Sequence, residues 1–129
     1  MATHVGTSGV VKVGTDTVAE VTGFTIDETS DTVEDTSLTD TSKTYKTLRS
    51  DATGTIECHW DETDSTGQGA LTVGASVTLN LYPEGADAAD TYYTGTALVT
   101  GVSQNVSLDG VIARTITVQF SGGVSTTTV

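Results

Sequence analysis

The stretch that most restricts the fold is Tyr92–Phe120, YYTGTALVTGVSQNVSLDGVIARTITVQF. Its last part sets Ile112, Arg114, Ile116, Val118 and Phe120 on alternate positions. Ala113, Thr115, Thr117 and Gln119, all small or polar, lie between them. Side chains two apart point the same way on an extended strand, so this segment reads as a strand with one buried face. Thr94–Val102, rich in Thr, Val and Leu, also suits a strand. Between the two sits Asp109-Gly110, a tight-turn pair that tolerates positive φ, so the stretch reads as a long antiparallel hairpin. A two-residue turn would place Leu108 opposite Val111, Asn105 opposite Arg114 and Ser103 opposite Ile116. That face is mixed, and a bulge or a longer loop would correct it.

The remaining segments supply further strands around this pair. Gly9–Val13 is a short strand, closed by a turn at Gly14-Thr15-Asp16. Thr17–Asp27 is the next, with Phe24 and Ile26 inward and its alternation broken near Gly23, where a bulge is expected. Residues 28–44, ETSDTVEDTSLTDTSKT, are polar, acidic and nearly free of large apolar side chains apart from Val33 and Leu38. They form either one long loop or a solvent-facing β-ribbon. Tyr45–Arg49 has weak strand character, and residues 50–54 read as a turn. Thr55–Asp61 alternates clearly, with Ile56, Cys58 and Trp60 on one face and Thr55, Glu57 and His59 on the other. Glu62–Gly69 is the one place for a helix start. Asp64 or Ser65 would cap it, and Gln68 has the capping-box spacing from Ser65. Gly67 and Gly69 limit it to a turn or two, with Ala70, Leu71 and Val73 closing that end of the core. Ser76–Tyr82 returns to period two, with Val77, Leu79 and Leu81 inward, and Pro83-Glu84-Gly85 ends it.

These segments predict an all-β fold: two packed antiparallel sheets, as a sandwich or partly open barrel, with one short helix. The 129 residues are expected to form a single domain. It would carry a flexible N-terminal arm at 1–8, a long polar excursion at 28–48 and a loose C-terminal tail at 121–129. Roughly a fifth of the chain is Thr, which favours strands over long helices. No stretch has the length of apolar sequence that a membrane span needs, and no basic segment followed by an apolar run marks a secretory signal.

Charge removes several function classes. The formal charge is −12, from 17 acidic residues against 5 Lys and Arg. A grip on nucleic acid needs cations to neutralise phosphates, and docking on an anionic membrane needs them equally. The simplest use of such a charge is solubility. The single cysteine, Cys58, allows no intrachain disulfide.

Candidate chemistry is sparse. Cys58 and His59 are adjacent, so on a regular strand they face opposite ways and cannot share a metal. The run Asp61–Gly67 lacks the alternating ligands and closing Glu of a hand-type calcium loop. Glu28, Asp31, Glu34 and Asp35 follow no ligand pattern either. His4 and His59 are the only histidines available to activate a nucleophile, and no Gly-x-Ser-x-Gly occurs. Gly67-x-Gly69 lacks the strand and long helix of a nucleotide site. The reading therefore expects no enzyme, no catalytic residue, no cofactor and no metal.

Several dispersed features together resemble the major tail-tube proteins of tailed bacteriophages, in the small form of long-tailed phages. They are Ala19–Phe24, the polar excursion from Glu28, and Gly54–Asp61 running into Asp64 and Gly67-Gln68. Val77–Gly85, Tyr92–Gly95, Asp109-Gly110 and Ile116–Gly123 complete the order, which spans nearly the whole chain. The resemblance implies subunits that close into hexameric rings, with rings stacked head to tail into a virion tail tube assembled in the host cytoplasm. It implies other tail proteins as neighbours, and a tape measure protein or genome DNA passing through an acidic lumen without specific binding. By position, the part that reaches the neighbouring ring is the excursion. Its contact residues are expected to be Glu28, Asp31, Val33, Glu34, Asp35, Leu38, Lys43, Tyr45 and Lys46. The alternatives are another ring-forming tail component, such as a terminator or head-tail joining protein, and a β-sandwich carbohydrate-binding or decoration module.

Overall fold

The computed structural model describes residues 9–108 and 110–129. The expected N-terminal arm at 1–8 and Asp109 of the hairpin turn lie outside the described residues. The chain is all-β. The strands are β1 (Val10–Val13), β2 (Asp16–Thr17), β3 (Val21–Glu34), β4 (Tyr45–His59), β5 (Ser76–Tyr82), β6 (Thr91–Asn105) and β7 (Ala113–Thr128). They form one seven-stranded antiparallel sheet in the order β2-β1-β5-β6-β7-β4-β3. The expected pair of sheets is thus a single continuous one. Of the two forms predicted, the partly open barrel is the one that describes it.

The closure follows from connectivity. β2 and β3 are the opposite edges of the sheet, yet only residues 18–20 separate them in sequence. That link spans at most about 14 Å when fully extended, so the sheet has to roll until its edges meet. The link is hydrogen-bonded to both sides. The Val18 amide donates to the Val11 carbonyl on β1 at 2.9 Å, and the His59 amide of β4 donates to the Glu20 carbonyl at 2.9 Å. Glu20 turns the corner with φ at 59°.

Rolling encloses one face of every long strand. Val11, Ile56, Cys58, Leu79, Leu81, Ala97, Val99, Ile116, Val118 and Phe120 are buried there. Phe24, Ile26 and Val77 pack against them, half-buried. Val18 and Leu71 plug the end of the barrel. The inward faces predicted for β4, β5 and β7 are therefore correct, except that Trp60 lies just past β4 and is 37% exposed. The break near Gly23 is a register shift between Val21 and Gly23.

The central hairpin pairs Asn105 with Ala113, Gln104 with Arg114 and Val102 with Ile116. This is one residue off the register of a two-residue turn. The connection runs over 106–112, and the longer loop restores an apolar partner for Ile116. Residues 121–128, expected as a loose tail, are strand. They pair with Thr91–Thr96 of β6 after a kink at Gly122 and Gly123, whose φ angles of 86° and 94° suit glycine. Residues 50–54, expected as a turn, lie inside β4 and pair with β3. The single-residue alternation of the flanks was hidden there by Asp51, Thr53 and Gly54.

The expected helix is one 3-10 turn, Gln68–Ala70. Its residues are organised by hydrogen bonds that also fasten the barrel closure. The Asp64 carboxylate accepts from the amides of Ala19 at 2.8 Å, Gln68 at 3.0 Å and Gly67 at 3.1 Å. Gln68, fully buried, donates through Nε2 to the carbonyls of Ala19 and His59, both at 2.8 Å. Its Oε1 accepts from the Asp61 amide at 3.0 Å. Gly67 permits this approach: a Cβ there would lie 2.8 Å from the Thr17 carbonyl oxygen and from Val18 Cα.

Candidate assembly surface

The long polar excursion is a β-ribbon. β3 and β4 stay paired out to Glu34 and Tyr45, with residues 35–44 as the loop between them. β4 leaves its other neighbour much earlier, because its ladder with β7 ends at Thr53 opposite Gln119. From Glu28 and Ala52 outward, no third strand of the described residues pairs with these two. From Ala52 to Tyr45 the ribbon is about 23 Å long at the usual rise per residue. We call it the arm.

The fork where the arm leaves the body has an identifiable cause. Gln119 Nε2 donates to the Ala52 carbonyl at 3.0 Å and to the Asp51 carboxylate, so a side chain takes the place of the next ladder rung. Beyond it, β7 kinks at Gly122 and Gly123 and runs on paired with β6. The two diverging strands leave an open cleft of about 490 Å³ between Glu28, Ser50 and Asp51 on one side and Gly122–Ser125 on the other.

The nine residues expected at an inter-ring contact all lie on this arm, and all are exposed. Glu28, Asp31, Val33 and Glu34 are on β3, Tyr45 and Lys46 on β4, and Asp35, Leu38 and Lys43 in the loop. Opposite residues share a face, so Val33 and Lys46 point one way and Glu34 and Tyr45 the other. The arm brings some of them together. Lys46 Nζ lies 3.7 Å from the Asp35 carboxylate, and the Thr44 hydroxyl donates to Asp35 at 2.6 Å. The Ser37 amide donates to Asp40 at 2.8 Å and shapes the tip, where Leu38 is fully exposed. A two-stranded ribbon with both faces wet is marginal by itself. Val33, Tyr45 and Leu48, each about half exposed or more, are apolar surface left uncovered by the described residues.

The opposite end of the molecule carries a second set of features that the sequence reading did not single out. β4 ends there at His59, β7 begins there at Ala113, and the 106–112 loop joins β6 to β7 there. Trp60, Val106, Leu108 and Val111 are exposed at this end. A signal was present in the sequence: isolated large apolar residues in an otherwise polar loop. Two buried nitrogen atoms at this end, His59 Nδ1 and Arg114 Nε, have no hydrogen-bond partner among the described residues. Cys58 is buried beside them. Burial raises the pKa of its thiol, the Arg114 charge pulls it back, and Asp64 adds to the rise.

The outer face of the sheet, away from the core, is hydroxylic. Thr25, Thr55 and Thr117 are in register across β3, β4 and β7, and Glu57 lies opposite Thr115. The charged side chain of β7, Arg114, is paired with inward-facing Cys58 and so belongs to the other face.

No family model matches this chain, and no curated protein matches it. Solved structures do. A chain in the tail of the empty gene transfer agent particle, determined with helical refinement and C6 symmetry, is 16% identical with a TM-score of 0.76. The match covers 97% of this chain and 99% of that one. A chain of an extracellular contractile injection system, from the PVC sheath/tube terminator in the extended state, has a TM-score of 0.78 at 11% identity, covering 98% of both chains. A chain of the SPP1 tail tube has a TM-score of 0.75 at 8% identity, covering 98% of this chain and 80% of that one. Matches of this extent at such low identity establish a shared fold. The rolled seven-stranded sheet described here is the fold of tail-tube and tube-terminator chains.

Proposed function

We propose that this chain is a non-enzymatic structural subunit of a tail tube. In this reading six copies close into a ring, rings stack head to tail, and the arm of each copy reaches the neighbouring ring. The observation that carries it is the arm: a ribbon exposed on both faces, with unpartnered apolar residues, on a fold shared nearly end to end with a chain of a sixfold tail. A partner on the arm supplies the packing that two strands alone lack. Rings built this way also cover the free β3 edge, which would otherwise template indiscriminate pairing. The nine arm residues named above are the proposed inter-ring contacts.

The charge fits a channel. At −12 per chain, with Thr, Gln and Glu57 on the outer sheet face, a lumen lined by that face would repel phosphate and let DNA pass without adhesion. A second reading has its own support, since the sheath/tube terminator chain has a TM-score as high as the tube chains. A terminator closes one end and does not polymerise, so the two readings separate by assembly.

The test is negative-stain electron microscopy of the purified protein at rising concentration, with light scattering for mass. Stacked rings or hollow filaments of even bore are the expected result. Single rings that never stack would select the terminator. A monomer under every condition would overturn both.

A further inference from the structure

The large exposed apolar residues are not spread evenly. Among the described residues, Val33, Leu38, Tyr45 and Leu48 lie on the arm, whereas Trp60, Val73, Val106, Leu108 and Val111 lie at the other end of the barrel. Leu98 alone is on the sheet face between them, and Val129 ends the chain. Single exposed apolar side chains need no explanation, but two groups at opposite ends of one molecule do.

We propose that the surface formed by Trp60, Val73, Val106, Leu108 and Val111 receives the tip of the arm from a second copy of this chain. The proposal rests on the tube reading and supplies its missing half, the surface on which the arm lands.

Two observations select a second copy as the occupant. The arm extends about 23 Å past the last rung that ties it to β7, and among the described residues the side chains of its loop bond only within the arm. The strands run the length of the molecule, so arm and receiving surface are at opposite ends of the same strand, β4. A head-to-tail translation then brings the two groups into contact, and the contact left open on the far copy repeats it, as in an open polymer. Charge does not favour the contact, because acidic side chains occupy both ends: Asp35 and Asp40 on the arm, Asp61 and Glu62 by Trp60. Burial of apolar surface is then the attractive contribution. One such contact is weak. Closing six at once makes each after the first effectively intramolecular.

The test uses Leu38→Asp and Leu108→Asp. Both side chains are fully exposed in the single chain, at 106% and 100%, so neither change disturbs the fold. Each variant should form rings that do not stack, with the concentration needed for filaments raised at least about tenfold. Rings of the two variants are then mixed. An arm-defective ring keeps its receiving surface, and a loop-defective ring keeps its arm, so the mixture should give stacks of two rings and nothing longer. Filaments from Leu108→Asp that match wild type would overturn the proposal and leave the tube reading standing. So would a mixture that yields single rings only. Wild-type protein that never forms rings or filaments would overturn the tube reading itself, and this proposal with it.

Discussion

Gln68 is the one polar side chain fully buried among the described residues, and both of its N–H donors and its amide oxygen are engaged. It holds the carbonyls of Ala19 and His59 together where the two edges of the sheet meet. Gln68→Ala leaves those carbonyls and the Asp61 amide without partners in a dry place, which costs about 3 kcal/mol. Urea unfolding at concentrations below assembly should show that loss; a change under about 0.5 kcal/mol would mean that water replaces the side chain. Asp64 adds a pH dependence. Burial alone would raise its pKa, but hydrogen bonds from the amides of Ala19, Gln68 and Gly67 outweigh it, and the carboxyl ends below its usual 3.8. A depressed folded pKa means stability that is present above the unfolded value and lost as pH falls through the folded one. Wild type should therefore be more stable than Asp64→Asn at neutral pH, and the gap should close on acidification below about pH 4. A gap that stays constant from pH 7 to pH 2 would show that the carboxylate charge plays no part.

The arm is the element whose role separates fold from assembly. None of the buried core residues lies between Glu28 and Asp51. Replacing residues 31–49 by Asn-Gly, which joins Ser30 to its partner Ser50 through a tight turn, should leave the barrel intact. The expected result is an unfolding free energy within about 1 kcal/mol of wild type, strand content by circular dichroism retained, and no filaments at any concentration. Filaments from the shortened chain would remove the arm from the assembly. The same element shows what sequence reading can reach. Alternation identified β5, β7 and the end of β4 because each has one dry face, and the bulge at Gly23 was visible where that alternation broke. The arm has no dry face, so its pattern carries no periodicity, and loop and ribbon stayed equally open. Residues 121–128 looked loose for the same reason, being Ser, Thr and Gly held by backbone pairing to β6. Capping chemistry points to Asp64, which does accept from the amides of Gly67 and Gln68, but the bonds of Asp64 and Gln68 to distant backbone lie outside what capping predicts. Their partners, Ala19 and His59, are brought close by the roll of the sheet, which no local pattern encodes. The receiving end was missed because isolated apolar residues in a loop gain meaning only when the arm is seen at the other end.

For the molecule as a whole, the decisive quantity is net charge. Each chain carries −12, and the proposed ring would concentrate several such chains around one axis. Assembly then works against like-charge repulsion, which acts over about 30 Å at 0.01 M salt but only about 10 Å at 0.1 M. The contacts proposed to oppose it are apolar and backbone pairing, neither of which weakens in moderate salt. The salt dependence therefore has a definite sign. Raising NaCl from about 0.01 M to about 0.3 M should lower the concentration at which light scattering first detects filaments, by several-fold, and most of the change should occur below about 0.15 M, where the screening length falls fastest. An interface held by ion pairs would respond the other way, with assembly weakening as salt rises. That result would replace the apolar contact between arm tip and receiving end with pairing between Lys43, Lys46 or Arg49 and acidic residues of the next copy. The same charge makes a second measurement informative. Filaments titrated with short double-stranded DNA at low salt should show no binding, because a surface with 17 carboxylates against 5 cations cannot release phosphate counterions in exchange for its own. Retention of DNA under those conditions would mean that Lys and Arg converge on the bore in the assembled state, and a channel lined by the hydroxylic face of β4 and β7 would no longer describe the tube.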